Sequence, residues 1–564
     1  MALLAKTTVP FLMGLSLFPV ASNARELPRL ILQITVDQLR GDLPTRHSEQ
    51  FGTGGFRYLL EEGIYYSNAH HTHANTETIV GHTTLATGAT PAAHGMVGNL
   101  WYDRSQGRTV YNIEDPDYSI LTSGADVDEE TEIDPTQRAA KSDGRSPRTI
   151  LTSTFGDELA LATAGRAKVF GVSIKDRGAV AMAGHAGKAF WFSKSAGQFV
   201  TSSYYYETYP AWVDAWNAKG VPQGFDNRSW ELLNPTETYL FGDHDDQPWE
   251  PDFAGFGRTF PHPLGAGDDK YFTTLLTLSP FGDQMTADFA KTLIDAEDLG
   301  DDEVTDFLAV SFSVTDYVGH FFGPSSLEAE DNLLQLDRTL ADLFAYVDQA
   351  VGLEHTLIVL SSDHGAPEAP GYLASIGMPG GYVTPDEWDT APAVARIKER
   401  FGLSGPLFEG YDHPYLTLSE TIRNDADIDR IALETAIADE LVAFEGVAYA
   451  VPSSRLREGS LPDNALMRAV LNNYHPDRSG DIYVVFEPEW FINDMDGLSV
   501  TVTHGSPWRY DTFVPIFFAG YQTAGQSIAR RVHTVDVALT LSAVAETRPP
   551  SGATGEVLLE VLGQ

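Results

Sequence analysis

The chain has 564 residues, 43% of them apolar, with 50 glycines, 32 prolines, no cysteine and a formal net charge of −42. That length and apolar fraction support a sizeable core with many loops, arranged as one large body or as up to four domains. The charge argues against nucleic acid and anionic membranes as partners, and the lack of thiols excludes disulfides, cysteine nucleophiles and thiolate metal ligands.

Residues 1–24 read as a secretory signal peptide. Lys6 precedes a mostly apolar run from Thr8 to Val20, and Ala21-Ser22-Asn23-Ala24 supplies small residues for cleavage. The run is too short for a membrane span and no second one follows, so the expected location is periplasmic or secreted, without stable membrane association.

Three apolar runs then end in a carboxylate: LILQITVD at Asp37, FLAVSFSVTD at Asp316, and TLIVLSSDHG at Asp363 with His364. Runs of this kind read as buried parallel strands that deliver ligands to the carboxyl edge of a sheet. Between the first and second runs, Gly55–Glu62 has helical periodicity, and a short helix starts near Ile79 just after Thr76 and Thr78. A hydroxyl there meets free N–H groups and the positive end of the helix dipole, which suits either plain capping or an anionic oxygen. Asn99, in Gly98-Asn99, is by composition a turn residue. Ala125–Arg145 is acidic and polar and reads as an exposed loop. Ala167–Ile174 is strand-like, and Lys175 and Arg177 follow it. Extended backbone would put these two on one face, as a solvated strand end or as a working pair of cations.

Ser195–Lys270 is irregular and rich in Trp, Tyr, Pro and Gly, before helical patterns at Gln284–Asp298 and Ser326–Val351. Asp316 and His320 stand four apart and share a face if the chain turns helical there. Pro367–Asp389 and Asp412–Ser460 form a further irregular stretch, with a helix at Ile428–Val442. Strand signals at Ile482–Glu487 and Val514–Ala519 and a helix at Val535–Val544 complete the chain. In SVTVTHG another β-rich run stops at His504. The alternation predicts an α/β fold: a central, mostly parallel sheet with helices on both faces. Residues 25–564 read as one catalytic domain with insertions near 101–165, 181–280 and 366–480 that cap the carboxyl edge of the sheet.

Taken singly, each of these acids and histidines reads as a cap, a turn residue or a structural histidine. Together Asp37, Asp316, His320, Asp363, His364 and His504 provide six oxygen and nitrogen ligands, the composition of a two-metal hydrolytic site.

Thr76 to Asn99 carries Thr-x-Thr-x-x-Gly-His, then Thr-Gly, then Pro-x-x-His-Gly-x-x-x-Asn. With the six ligands in order, the chain resembles the type I phosphodiesterase/nucleotide pyrophosphatase branch of the alkaline phosphatase superfamily across nearly all of its mature length. SIKDRGAV is similar to the Ser-x-Lys-Asp-Arg string of the PafA/PhoK-type monomeric alkaline phosphatases. The resemblance implies an alkaline phosphatase-like fold and two zinc ions per chain. Asp316, His320 and His504 would hold one ion, and Asp37, Asp363, His364 and Thr78 the other. Thr78 would be the nucleophile, with Asn99, Lys175 and Arg177 at the phosphoryl oxygens. The implied function is an alkaline phosphatase that hydrolyses small phosphate monoesters through a phosphothreonine, as a monomer. The extra charge of a monoester favours the added cations.

The alternative on the same scaffold is a phosphodiesterase or nucleotide pyrophosphatase. A sulfatase of this superfamily takes its formylglycine from Cys or Ser and is disfavoured without cysteine; a phosphoglycerate mutase-like enzyme would use serine and manganese. A metal binder or phosphate scavenger without turnover is a third reading, against which the hydroxyl of Thr78 stands. The acidic loops leave calcium open, although no EF-hand spacing supports it. The one departure from the expected relatives is a longer segment between Asn99 and Lys175.

Overall fold

Leu30–Val36 is a strand buried along its whole length, as its largely apolar character, broken only by Gln33 and Thr35, favours. It pairs in parallel with Asp306–Phe312 on one side and Thr356–Ser361 on the other. The computed structural model describes residues 26–495 and 498–563, so the proposed signal peptide lies outside the described residues.

These three strands are the centre of a ten-stranded sheet. Its order is Gln526–Ile528, Ile64–His70, Phe513–Gly520, Thr356–Ser361, Leu30–Val36, Asp306–Phe312, Val169–Ser173, Lys188–Ser193 and Gln198–Val200, with Val532–His533 paired beside Ile64–His70. Phe513–Gly520 runs antiparallel to both neighbours, and Gln198–Val200 is antiparallel to Lys188–Ser193. The expected mostly parallel sheet is therefore present.

Side chains alternate across it. Leu32, Ile34, Leu308, Val310, Ile358 and Leu360 share one apolar cluster with the helices Phe281–Ala296 and Leu327–Ala350. Ile31, Phe307, Ala309, Leu357 and Val359 join the opposite cluster with the helices Phe155–Ala162 and Asp536–Val544. A strand's period of two feeds both layers, so helices cover both faces. Leu327–Ala350 begins where the Ser326 side chain accepts from Ala329 N, and buries Leu333, Leu336, Leu340, Leu343 and Val347 at helical spacing.

Ile482–Phe486 is a strand but belongs to a separate antiparallel sheet, in the order Phe408–Asp412, Tyr415–Leu418, Ile482–Phe486, Val447–Pro452. That sheet packs with the helices Pro392–Phe401 and Arg430–Leu441 around its own apolar cluster.

Register aligns the functional edge. Val36 lies opposite Phe312, Thr35 opposite Ser361, and Ser311 opposite Ser173. Asp37, Lys175 and Asp363 therefore emerge together within two residues of a strand end. Ile64–His70 ends at the same edge, because His70 pairs with Phe513 at the start of the antiparallel strand, and it leads to the helix that begins at Thr78. The segment carrying His504 enters there too, where Gly365 N donates to Asp511 O at 2.8 Å.

Four local expectations are corrected. Asp316 does not end a strand: the strand stops at Phe312, and Asp316 lies in the first turn of the helix Val314–Phe322. That helix places His320 one turn on, with its Nε2 3.3 Å from Asp316 Oδ1. His504 does not end a β run, since the preceding strand Leu498–Ser499 stops five residues earlier and residues 500–508 are irregular. Lys175 and Arg177 do not share extended backbone: Lys175 is extended but stands at the N-cap position of the helix Asp176–Ala183, and Arg177 lies in the first turn of that helix. The acidic segment 125–145 is not simply an exposed loop, because Glu132, Ile133, Asp134 and Arg145 are buried. In each case a tertiary partner, described below, overrides the local pattern.

Candidate metal centre and active site

The carboxylates and imidazoles at the sheet edge form two overlapping groups. Asp37, Asp363 and His364 offer atoms within 4.8 Å of one another, and so do Asp316, His364 and His504. His504 Nε2 lies 3.4 Å from Asp316 Oδ1, next to His320, and the His364 and His504 rings stack at 3.6 Å. His364 Nε2 lies 3.4 Å from Asp37 Oδ1 and 3.5 Å from Asp363 Oδ2.

All three histidines are oriented alike. Nδ1 of His320, His364 and His504 sits at 2.7, 3.0 and 2.9 Å from the carbonyl oxygens of Val502, Gly365 and Thr76. A carbonyl only accepts, so each Nδ1 carries the proton and each Nε2 is the inward-facing nitrogen. This backbone tether is the support expected of a metal-bound imidazole.

The donor set fits divalent cations. Asp37 Oδ1, Asp363 Oδ2 and His364 Nε2 are buried without a hydrogen bond, a state that buried polar atoms rarely hold without a ligand. Asp37 Oδ2 forms an ion pair with the Lys175 ammonium at 2.7 Å. Asp363 Oδ2 similarly has His82 Nδ1 at 3.0 Å. A nitrogen and oxygen set without sulfur suits zinc and comparable ions.

Electrostatics divides the group. Burial opposes a charge on Asp37 and the Asp316 carboxylate adds to that, but Lys175 and His364 outweigh both and hold Asp37 below the ordinary carboxylate range. Burial likewise opposes ionisation of Asp316, yet His320 and Lys175 keep it well below that range. Burial and the Asp37 charge push Asp363 up. Burial disfavours a charged His364 ring, but Asp363 and Asp37 outweigh it and raise the ring to about 9. Burial and the His364 charge push His504 down to about 3. Lys175 bridges the two groups, with Nζ 2.7 Å from Asp37 Oδ2 and 2.5 Å from Asp316 Oδ2.

Thr78 is buried at the first position of the helix Thr78–Thr87, and its Oγ1 lies 3.3 Å from Arg177 Nη2. The capping residue is Glu77, without a side-chain cap bond, so the Thr78 hydroxyl is not spent on capping. Asn99 Oδ1 accepts from Ile79 N at 3.2 Å, which fixes the amide and leaves Nδ2 as its donor group. Glu77 Oε2 accepts from Asn99 N at 2.9 Å and Asn75 Nδ2 at 2.8 Å, tying this strand of contacts together.

A cavity of about 180 Å³ opens onto the centre. Asn99, Arg177, Asp316, His320 and His504 line it, while Asp37, Thr78, Lys175, Asp363 and His364 are absent from its walls and buried. All ten expected site residues thus gather at one sheet edge. Phe321, Phe486, Trp490 and Phe491 add an apolar wall that sequence reasoning did not single out, and Ile133 and His413 come from two of the expected insertions.

Three supporting residues also escaped the sequence reading. Gln38 follows Asp37 with a left-handed φ of 67°, which lets its N–H meet Asp363 Oδ1 at 3.1 Å and its Nε2 donate to Asp316 Oδ1 at 2.8 Å. His82 Nδ1 lies 2.9 Å from Thr78 O, as well as near Asp363, and its Nε2 lies 2.8 Å from Ser311 Oγ. Its position in the Gly-His pair of the Thr-rich string was the available signal. The third, Asp134, had no local signal among the many acids of its loop.

Gly81 explains that pair. A Cβ added there would lie 2.0 Å from the Asp363 carbonyl oxygen, so only glycine lets the Thr78 helix rest on the ligand strand. Gly81→Ala should push the helix away from Asp363, lowering stability by about 1–3 kcal/mol and turnover more than tenfold. Urea unfolding and kcat on one preparation test this; native values of both would refute the close-packing argument.

The chain is similar to several known proteins. The family model described as "Type I phosphodiesterase / nucleotide pyrophosphatase" matches residues 31–507. Alkaline phosphatase PafA of Elizabethkingia meningoseptica is 34% identical over 548 residues, covering 96% of each chain. Alkaline phosphatase PhoV of Synechococcus elongatus is 34% identical over 547 residues, 95% of this chain and 93% of its own. A Myroides odoratus protein named calcium-transporting ATPase is 34% identical over 553 residues, 97% of this chain and 96% of its own. The crystal structure of wild-type PafA superposes with a TM-score of 0.86 at 32% identity, covering 96% of this chain and 100% of that one.

Proposed function

The chain belongs to the type I phosphodiesterase/nucleotide pyrophosphatase family, and on that premise we propose that it is a zinc-dependent alkaline phosphatase cleaving phosphate monoesters to an alcohol and inorganic phosphate. We read residues 25–564 as one catalytic unit, exported to the periplasm or beyond and acting as a monomer on small phosphorylated molecules. Among the described residues no helix is long and apolar enough to cross a membrane.

Asp37, Asp363, His364 and the Thr78 hydroxyl would hold one zinc ion, and Asp316, His320 and His504 the other. When bound, the two ions supply Lewis acidity for the attacking and departing oxygens. The chain's own groups do the rest. Thr78 Oγ attacks phosphorus, its P–O bond forming as the ester P–O bond breaks and the alcohol departs. Water then cleaves the phosphothreonine, releasing phosphate and restoring the hydroxyl. Asn99 Nδ2 and the Arg177 guanidinium donate to the equatorial oxygens, where charge accumulates. Lys175 supplies a fixed positive charge beside both ligand groups.

The observation that carries the monoester reading is this pair of buried cations at the centre: Lys175 between Asp37 and Asp316, Arg177 against Thr78. A diesterase has less use for them, because one oxygen of its substrate is esterified. The test compares kcat/KM for p-nitrophenyl phosphate and methyl p-nitrophenyl phosphate in native protein and in a Lys175→Ala, Arg177→Ala double variant. The native enzyme should prefer the monoester. The double variant should lose about 10²- to 10⁴-fold on it, the scale of two charge-assisted contacts, and far less on the diester. A native preference for the diester, or an unchanged ratio in the variant, would overturn the reading.

A further inference from the structure

Arg177 needs a partner of its own. Its Nη2 reaches Thr78 at a long 3.3 Å and its Nε is buried without a hydrogen bond, so the strongest hold on its planar fork comes through Nη1. That nitrogen meets Asp134 Oδ2 at 2.5 Å, with both side chains almost fully buried. We propose that Asp134 is a positioning residue for Arg177, and that the acidic segment 125–145 thereby sets this chain's discrimination between phosphate monoesters and diesters. The inference rests on the monoesterase reading above.

Asp134 is itself firmly anchored. Its Oδ1 accepts from Thr136 N at 2.9 Å and Thr136 Oγ1 at 2.6 Å, and its N–H donates to Glu132 Oε1 at 3.0 Å. Glu132 is ion-paired with the buried Lys194. The same segment also holds the residue before Arg177: Arg145 Nε meets Asp176 Oδ2 at 2.6 Å, while Tyr111 OH, from the strand before the segment, donates to Asp176 Oδ1 at 2.6 Å. Asp176 and Arg177 are therefore each gripped by the segment, at the start of one helix. Burial opposes charge on both members of the Asp134–Arg177 pair, yet each holds the other strongly ionised.

Asp134 and Ile133 also line the cavity, where a carboxylate repels a phosphate dianion. A negative group in that wall is unfavourable for binding unless it returns something in geometry. A fork held at Nη1 presents its remaining N–H groups in a fixed plane, which bidentate recognition of phosphoryl oxygens requires. Without Asp134 the guanidinium keeps its charge and loses its aim.

Asp134 also caps the four-residue helix Pro135–Arg138, so a purely structural role must be separated. Serine caps well but cannot pair with Arg177. Asp134→Ser should lower kcat/KM for p-nitrophenyl phosphate about 10- to 100-fold and change methyl p-nitrophenyl phosphate less than threefold. In an Arg177→Ala background the same substitution should change the monoester value by less than about twofold, because residues acting through one another are not additive. Inorganic phosphate affinity, measured by calorimetry, should fall with Asp134→Ser only when Arg177 is present.

Equal losses on both esters, or a full-sized effect in the Arg177→Ala background, would reduce Asp134 to a cap and overturn the proposal. Native protein inactive on monoesters would instead remove the functional reading. The phosphate-binding arm would then still decide whether Asp134 works through Arg177.

Discussion

Thr78→Ala should lower kcat for a phosphate monoester by about 10⁴-fold or more, the scale on which loss of a nucleophile acts. Its fold should survive. The N-cap position is Glu77, not Thr78, and the helix Thr78–Thr87 is buried along its length, so its packing does not depend on one hydroxyl. Removing a hydroxyl and a methyl at a buried site costs about 1–2 kcal/mol, too little to unfold a protein of this size. Thr78→Ser keeps the oxygen and should remain within about tenfold of native kcat. Brief acid quenching during turnover, followed by peptide mass spectrometry, should find the phosphoryl group on Thr78 in the native chain. An alanine variant with kcat within tenfold of native and unchanged metal content would sink the assignment.

Stripping the metals should lower kcat by about 10³-fold or more, the scale of several kcal/mol of transition-state charge stabilisation. Zinc should restore it. The same treatment should lower Tm by several degrees, because Asp37, Asp316 and Asp363 are all but fully buried and Lys175 neutralises only part of their charge. The pH dependence has a definite sign. With no metal bound, Asp363 and Asp37 raise the His364 ring to about 9, so below that pH a proton occupies the nitrogen a cation needs. Binding then displaces the proton, and apparent metal affinity should rise with pH until about 9. A chelator should accordingly extract the ions faster at pH 6 than at pH 9. Asp363→Asn should lower the bound metal count, read by elemental analysis. Full activity in protein shown to be metal-free would refute the metal reading outright.

Much of this centre was readable before any tertiary contact was known, for a reason that lies in the strands. A buried parallel strand is a near-continuous apolar run, so a carboxylate just past its end is conspicuous, as at Asp37 and Asp363. Helical spacing made Asp316 and His320 a pair even though the helix starts earlier than the apolar run suggests. His504 was found by analogy with those runs although it lies on irregular backbone, where its orientation comes from a carbonyl of the Thr78 segment 428 positions away. Lys175 and Arg177 were noticed as an extended pair and lie instead at a helix start, where Asp176 between them is held by Tyr111 and Arg145.

The sequence by itself determined the α/β class, the chain order of the ligands and the residue types available for chemistry, since strand and helix periodicities and side-chain identities are local properties. Only the tertiary structure decided which of those residues meet and what holds them. Gln38 bonds Asp316 across 278 positions, and Asp134 reaches Arg177 across 43. No periodicity encodes such distances. They follow from the path of loops that have no repeating backbone geometry, so one carboxylate among the many of an acidic segment becomes distinct only when burial leaves it facing an arginine.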